Sequence, residues 1–247
     1  MSAAASSGGR FLHGLSGSLP LDVTAAWLTF RLAATTTLLL AAVGLPLAWW
    51  LAAPHGRGAG LRGFVEAVCT LPLVLPPTVA GFFLLVATAP ESVVGRFWAG
   101  LTGGTLPFTF SGILLAAVLM NLPYAIGPFT AAFAALDRRF VEASWCLGES
   151  RGATILRVVL PACWPGIVTG LVMTFAHVVG EFGVVLMVGG NIPGITRTLS
   201  VALYDDVQAL NHASAARTAT VLVAVALVAL VIVQRLARRP VAEGTGR

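Results

Sequence analysis

The chain contains no lysine, and all 15 of its basic residues are arginine. A phosphate-binding P-loop needs a lysine on the nucleotide phosphates, so an ATP-hydrolysing site of that kind is excluded. Charge of either sign is scarce. Charged residues make up 10% of the 247 positions, against about 25% in a soluble globular protein, while 57% are hydrophobic. That is membrane composition, and it requires reading for spans before any other fold argument. The net charge of +5 then acts as an orientation signal. No basic cluster is interleaved with aromatics, which argues against a nucleic-acid partner. Cysteine is rare as well: Cys69, Cys146 and Cys163 form no CxxC pair and fall in or beside apolar segments. They read as small buried hydrophobes rather than a disulfide or a metal site. His13, His55 and His212 are isolated, so no metal ligand set is expected.

Long apolar runs are abundant. A helix needs roughly 20 apolar residues to cross the hydrocarbon core. Five segments qualify: 25–51, 64–89, 109–133, 161–188 and 216–236. The opening "MSAAASSGGRFLHGLSGSLP" lacks the apolar core of a signal peptide, so the first span is expected to be retained. The expected fold is an all-α integral membrane protein of about five transmembrane helices. It comprises a polar arm (1–24), a transmembrane domain (25–236) and a tail (237–247). Pro72, Pro76, Pro77, Pro123, Pro128, Pro161 and Pro165 crowd spans two to four. Broken helices at membrane depth are tolerated where they pack on protein or line a cavity. Arg31, near the start of span one, can snorkel to the interface.

Five spans put the termini on opposite sides. One set of loops carries Arg57, Arg62, Arg138, Arg139, Arg151, Arg157, Arg235, Arg238, Arg239 and Arg247, and the other Arg10, Arg96, Arg197 and Arg217. Ten against four places the richer side in the cytoplasm, with the N-terminus outside and the C-terminus inside.

The richer side includes the connection 137–160, the most charged segment in the middle of the chain. Leu136, Phe140, Ala143 and Leu147 recur at helical spacing, with Asp137, Arg138, Arg139 and Glu142 between them. Gly148 suits a left-handed stop, Ser150 can cap a second helix through Val159, and Pro161 suits the first turn of the next. The predicted result is a helix–turn–helix elbow. By its residues alone it is either a connector on the membrane surface or a docking element. Glu142-Ala143, Gly148 and Val158-x-Leu160-Pro161 resemble the "EAA…G…I-x-L-P" signature of ABC-importer permease subunits, with Ser144 and Val158 as small departures. The resemblance implies a type I importer fold in which the elbow is a coupling helix between spans three and four. It also assigns Glu142, Ala143, Gly148, Leu160 and Pro161 to contact with a separate ATPase.

From His177, "HVVGEFGVVLMVGGNIPGITRTLSVALYDDVQAL" resembles the "GEFG…GNIPG.T.TL" region of molybdate importer permeases, with sulfate and thiosulfate permeases as more distant relatives. The likeness covers about residues 25 to 236. It implies a permease for molybdate in the bacterial cytoplasmic membrane, with tungstate, sulfate or thiosulfate as alternative cargo. The partners implied are a second copy, two ATPases that carry the ATP and magnesium, an external binding protein and membrane lipid; this chain itself holds no cofactor. Physically, Glu181 is an ionisable group inside a span, and His177 lies four residues before it on the same helical face. With Gly180 and Gly183 they are candidates for the pore or gate, although packing of span four explains them as well. A carboxylate repels an oxyanion and is not proposed as its ligand. Gly166, Gly170, Gly180 and Gly183 allow close helix approach. Asn191, Pro193, Gly194 and Arg197 mark an external turn, with a short interfacial helix expected over 195–210. Two other readings fare worse. A membrane-embedded enzyme finds too few acids around Asp205-Asp206, and His177 with Glu181 is not HExxH. A secondary transporter finds little internal symmetry or buried charge.

Overall fold

The computed structural model describes residues 22–53 and 58–237, which carry helices and no strand. Residues 1–21 of the polar arm, His55, Arg57 and the arginines of the tail lie outside the described residues. In chain order the helices are α1 (Val23–Leu51), α2 (Ala59–Thr70), α3 (Pro77–Ala87), α4 (Val93–Thr102) and α5 (Phe110–Ala134). They continue with α6 (Arg138–Cys146), α7 (Arg151–Gly180), α8 (Gly183–Gly189), α9 (Leu199–Gln208) and α10 (His212–Ala237). Four of these are long and apolar enough to cross a membrane, or five spans if the bent α2–α3 pair is one. The starts are set by side chains: Asp22 Oδ1 accepts from Ala25 N–H at 2.9 Å, and Thr109 Oγ1 from Gly112 N–H at 3.2 Å. Each cap of this type contributes about 1 kcal/mol.

Spans one, three and five appear as α1, α5 and α10. Span two is not a straight helix: α2 and α3 meet at 112°. Pro72, Pro76 and Pro77 explain the bend, because each removes an N–H and disfavours helical geometry in the residue before it; Pro76 has ψ 132°. Span four differs at both ends. It begins at Arg151, so the second elbow helix and the span are one continuous rod, and it breaks at Glu181 rather than running to 188. Over Ile155–Val159 the rod widens, and Leu160 N–H reaches the Ile155 carbonyl five residues back. Pro161 follows at once, in the first ordinary turn, where it has no N–H to give the Arg157 carbonyl. Helix α4 was not expected from hydropathy. Ser92 caps it at Gly95 N–H, and Gly103 ends it at φ 72°.

The bundle is built on α1, α5 and α7. One core cluster joins Leu40 and Ala48 to Phe129 and Phe133 and to Cys163 and Ile167, with Val141 of the elbow beneath. A second, near the other end, joins Leu32, Ile113, Val178, Val185 and Val201. Glycine lets α5 and α7 touch: a Cβ on Gly166 would lie 2.5 Å from Ala132 Cβ, and one on Gly170 would lie 2.6 Å from Phe129 Cε1. Gly183 packs on Pro77 in the same way. Gly180 does not, because a Cβ there meets nothing within 4 Å. Helix α10 rests on α7 and α9 and leaves Val223, Leu227, Val228 and Val231 outward, as a lipid-facing helix does. Arg31 is exposed, with its guanidinium 4.2 Å from the centre of the Phe110 ring. Cys69 and Cys163 are buried as expected, but Cys146 is exposed, on the face of α6 turned away from the bundle.

Candidate functional site

The elbow is the best defined of three candidate regions. Asp137 opens α6 by accepting Arg139 N–H at 2.9 Å, and Gly148 closes it at φ +83°. Glu149 N–H reaches the Ser144 carbonyl and Gly148 N–H that of Trp145, the paired bonds of a glycine-terminated helix. Ser150 then caps α7 at Ala153 N–H. The two arms are stapled by Ser144 Oγ and Thr154 Oγ1, 3.0 Å apart and buried. The residue that departs from the alanine of the family signature therefore fixes the angle of the elbow. An exposed Glu149–Arg157 ion pair of 2.8 Å spans the same bend and adds about 0–1 kcal/mol.

The face of α6 that meets the bundle is not its apolar stripe. The bundle takes Val141 and Ser144, whereas Phe140, Ala143 and Leu147 point outward; Phe140 is 62% and Leu147 84% exposed. The apolar stripe is real: Leu136 packs on the first core cluster, whereas Phe140, Ala143 and Leu147 are exposed and face away from the spans. Glu142 is exposed and lines a 340 Å³ hollow with Trp49, Phe133, Arg138 and Trp145. Leu160 and Pro161 stand in α7 near the bend, not on the exposed stripe.

At the opposite end of the bundle, Asn191, Pro193 and Gly194 lie in a tight turn after α8. The Ile192 carbonyl accepts from the N–H groups of Ile195, Thr196 and Arg197, and Gly190 and Gly194 have φ of 64° and 76°. Thr196, fully buried, holds the turn: its Oγ1 donates to the Gly189 carbonyl at 2.7 Å and accepts from Ile192 N–H at 3.2 Å. Thr196→Val leaves both groups without that partner and is expected to destabilise the protein by about 1–3 kcal/mol; a lowered melting temperature in detergent checks it. Arg197 forms an ion pair with Asp205 at 3.1 Å, and Asn191 Nδ2 donates to the same carboxylate. The helix expected over 195–210 is shorter, and its first turn is buried rather than interfacial. Leu199 N–H donates to Thr29 Oγ1 at 2.8 Å, and Ser200 Oγ to the Val179 carbonyl at 3.1 Å.

Between these ends, where α7 breaks, is a 650 Å³ cavity lined by residues of the α2–α3 bend, α5 and the Gly180–Gly183 segment. Its polar wall is His177, Glu181 and Tyr124. His177 Nδ1 lies 3.4 Å from Glu181 Oε2 and 3.0 Å from Asn121 Oδ1, and the imidazole stacks on Tyr124 with ring centres 3.9 Å apart. Glu181 is buried at the end of α7, with φ −63° and ψ 124°. Gly180 and Gly183 flank the break and line the cavity. Asn121 and Tyr124 were not identified from sequence. The signal was present: a buried amide within the apolar run of α5 carries the same cost that singles out Glu181.

Residues 44–241 match the family described as binding-protein-dependent transport system inner membrane component. The chain is 47% identical to the molybdenum transport system permease protein ModB of Azotobacter vinelandii, over 78% of this chain and 84% of the relative. It is 34% identical to the protein of the same name from Escherichia coli K12, over 87% and 93%. A probable sulfate transport system permease protein of Prototheca wickerhamii is 30% identical, over 87% and 82%. Among solved structures, a bacterial ABC transporter that imports alginate superposes with a TM-score of 0.68 at 17% identity, over 88% of this chain and 79% of the other. An inward-facing methionine ABC transporter superposes at 0.62 and 18%, over 88% and 97%. Such low identities establish the fold alone. The family match spans most of the sequence, and the chain belongs to the binding-protein-dependent transport system inner membrane components.

Proposed function

We propose that this protein is the permease subunit of an ATP-driven importer that carries molybdate across the bacterial cytoplasmic membrane. The observation that supports the transport mechanism best is the elbow. Its apolar stripe faces away from the spans, on a rigid, stapled bend continuous with α7. A stripe of that kind marks a protein interaction surface, and the resemblance to the coupling signature at Glu142, Ala143 and Gly148 supports a separate ATPase, carrying the ATP and magnesium, as the partner. Because α7 is one rod from elbow to cavity, movement of the ATPases reaches the break at Glu181 directly. The cargo reading rests on the relatives, since those of highest identity reported above are named for molybdenum. Two copies form the path between them, two ATPases dock on the elbows, and an external binding protein delivers the oxyanion. The arginine asymmetry supports an N-terminus outside and a C-terminus in the cytoplasm.

Within that reading, Gly180 and Gly183 are hinge candidates at the break in α7. Asn191, Pro193, Gly194 and Arg197 form the external turn that faces the binding protein. Arg197 is committed to Asp205, so it acts there as part of a rigid, nearly neutral surface rather than as a lone cation steering the oxyanion.

Uptake of molybdate and of sulfate at submicromolar concentration, in cells with and without the gene, tests the cargo. A loss confined to molybdate, restored by high external molybdate, is expected. Loss of sulfate uptake instead would keep the architecture and move the protein to the sulfate branch.

A further inference from the structure

Asn121 is fully buried on α5, and its Nδ2 donates to the Ala117 carbonyl at 2.8 Å. That bond turns Oδ1 toward His177. An amide oxygen only accepts, so His177 Nδ1, 3.0 Å away, carries a hydrogen. The ring is further held by its stack on Tyr124, tilted by only 25°. One edge of the imidazole is therefore bonded and one face covered. The partners on the Nδ1 edge are almost entirely buried, at 0% for Asn121 and 4% for the Glu181 side chain, yet the His177 side chain is 37% exposed. Nε2 is the ring nitrogen without a hydrogen bond among the described residues, and His177 lines both the 650 Å³ cavity and a smaller apolar hollow against α10.

We propose that His177 contacts the translocated oxyanion through Nε2–H, with Asn121 and Tyr124 as positioning residues and Glu181 as the balancing charge. The inference rests on the oxyanion reading above. With Nδ1–H committed to Asn121, Nε2 can donate only from the doubly protonated ring. Glu181 Oε2, 3.4 Å from Nδ1 and with no hydrogen-bond donor among the described residues, supplies the negative charge that such a ring needs at membrane depth. Glu181 also lines the cavity, and its carboxylate meets the imidazole on the Nδ1 edge, away from Nε2. No other acidic or basic side chain lines this cavity.

The two amide side chains separate this role from simple packing. Glutamine reproduces a donor at the Nε2 position, and asparagine reproduces the group that meets Asn121. The measurement is molybdate uptake, and molybdate moved per ATP, by the complete transporter in vesicles with its ATPase and binding protein. His177→Gln is expected to retain more of the rate than the other two variants. His177→Asn, and His177→Phe, which keeps the stack without either nitrogen, are expected to lose about ten- to a hundredfold in maximal rate, the range of one hydrogen bond to a charged group. Asn121→Leu, which frees the ring, is expected to lower the rate while the amount of assembled transporter stays unchanged. His177→Asn equal to or better than His177→Gln, or His177→Phe at the wild-type rate, overturns the assignment and leaves a packing role. Wild-type vesicles that move no molybdate would instead overturn the oxyanion reading itself.

Discussion

Gly148→Trp is expected to abolish uptake and release the ATPase, while the variant inserts into the membrane in normal amount. Gly148 has φ +83°, and a non-glycine residue in that region loses about 1–2 kcal/mol. No atom lies within 4 Å of the Cβ position, so the chain itself has room for a side chain. The damage therefore falls on whatever approaches from outside. An indole at 148 stands beside Leu147 at the end of the exposed Phe140–Ala143–Leu147 stripe and blocks a partner's access to it. Gly148→Asn separates the two effects, since asparagine tolerates left-handed geometry and is far smaller; it is expected to retain most uptake. Co-purification of the ATPase with each variant, alongside uptake, is the check. Normal uptake by a well-inserted Gly148→Trp protein would sink the docking assignment.

Gly170→Leu is expected to have the largest effect on stability. A Cβ at 170 already lies 2.6 Å from Phe129 Cε1, 2.9 Å from its Cδ1 and 3.2 Å from the Ala125 carbonyl. Phe129 is 0% exposed and lies in the cluster that joins α1, α5 and α7, so it has nowhere to retreat. Overpacking by a methylene or two costs about 1–3 kcal/mol in a tight core, and a leucine exceeds that range. Gly170→Leu protein is expected not to accumulate in the membrane. Gly170→Ala is expected to accumulate with a lowered melting temperature, partly recovered by Phe129→Leu in the same chain. Gly180→Ala is the control: nothing surrounds its Cβ position, and the melting temperature should not fall by more than the measurement error. A Gly170→Leu protein as stable as wild type would mean that α5 and α7 pack otherwise.

Most of the elbow was legible because its determinants are local. A left-handed glycine and a serine cap act through backbone geometry within four or five residues, and each is recognisable by type, whereas Pro161, expected in the first turn of a new helix, lies inside the continuous α7. The side of α6 that meets the bundle was not legible. Val141 and Ser144 are buried because Thr154, ten residues on, returns to bond Ser144 Oγ, and that return depends on the angle of the bend. The helical spacing of Phe140 and Leu147 marked an apolar stripe but not which side of α6 it would take, and the structure leaves both exposed.

In the candidate site, Glu181 and His177 announced themselves as ionisable groups in an apolar run. Their meeting with Asn121 and Tyr124 crosses from α7 to α5, 56 residues apart in the bond between His177 and Asn121, and no periodicity encodes that pairing. The proline clusters foretold broken helices but not a 112° bend, nor that span four breaks at Glu181 rather than at its prolines. Composition, apolar run length and local stop and cap residues determined that this is a helical membrane protein with an elbow between its third and fourth spans, because each follows from transfer energies and backbone geometry that the chain carries with it. The tertiary structure alone decided which faces meet, because close packing through Gly166, Gly170 and Gly183 depends on where the neighbouring helix lies.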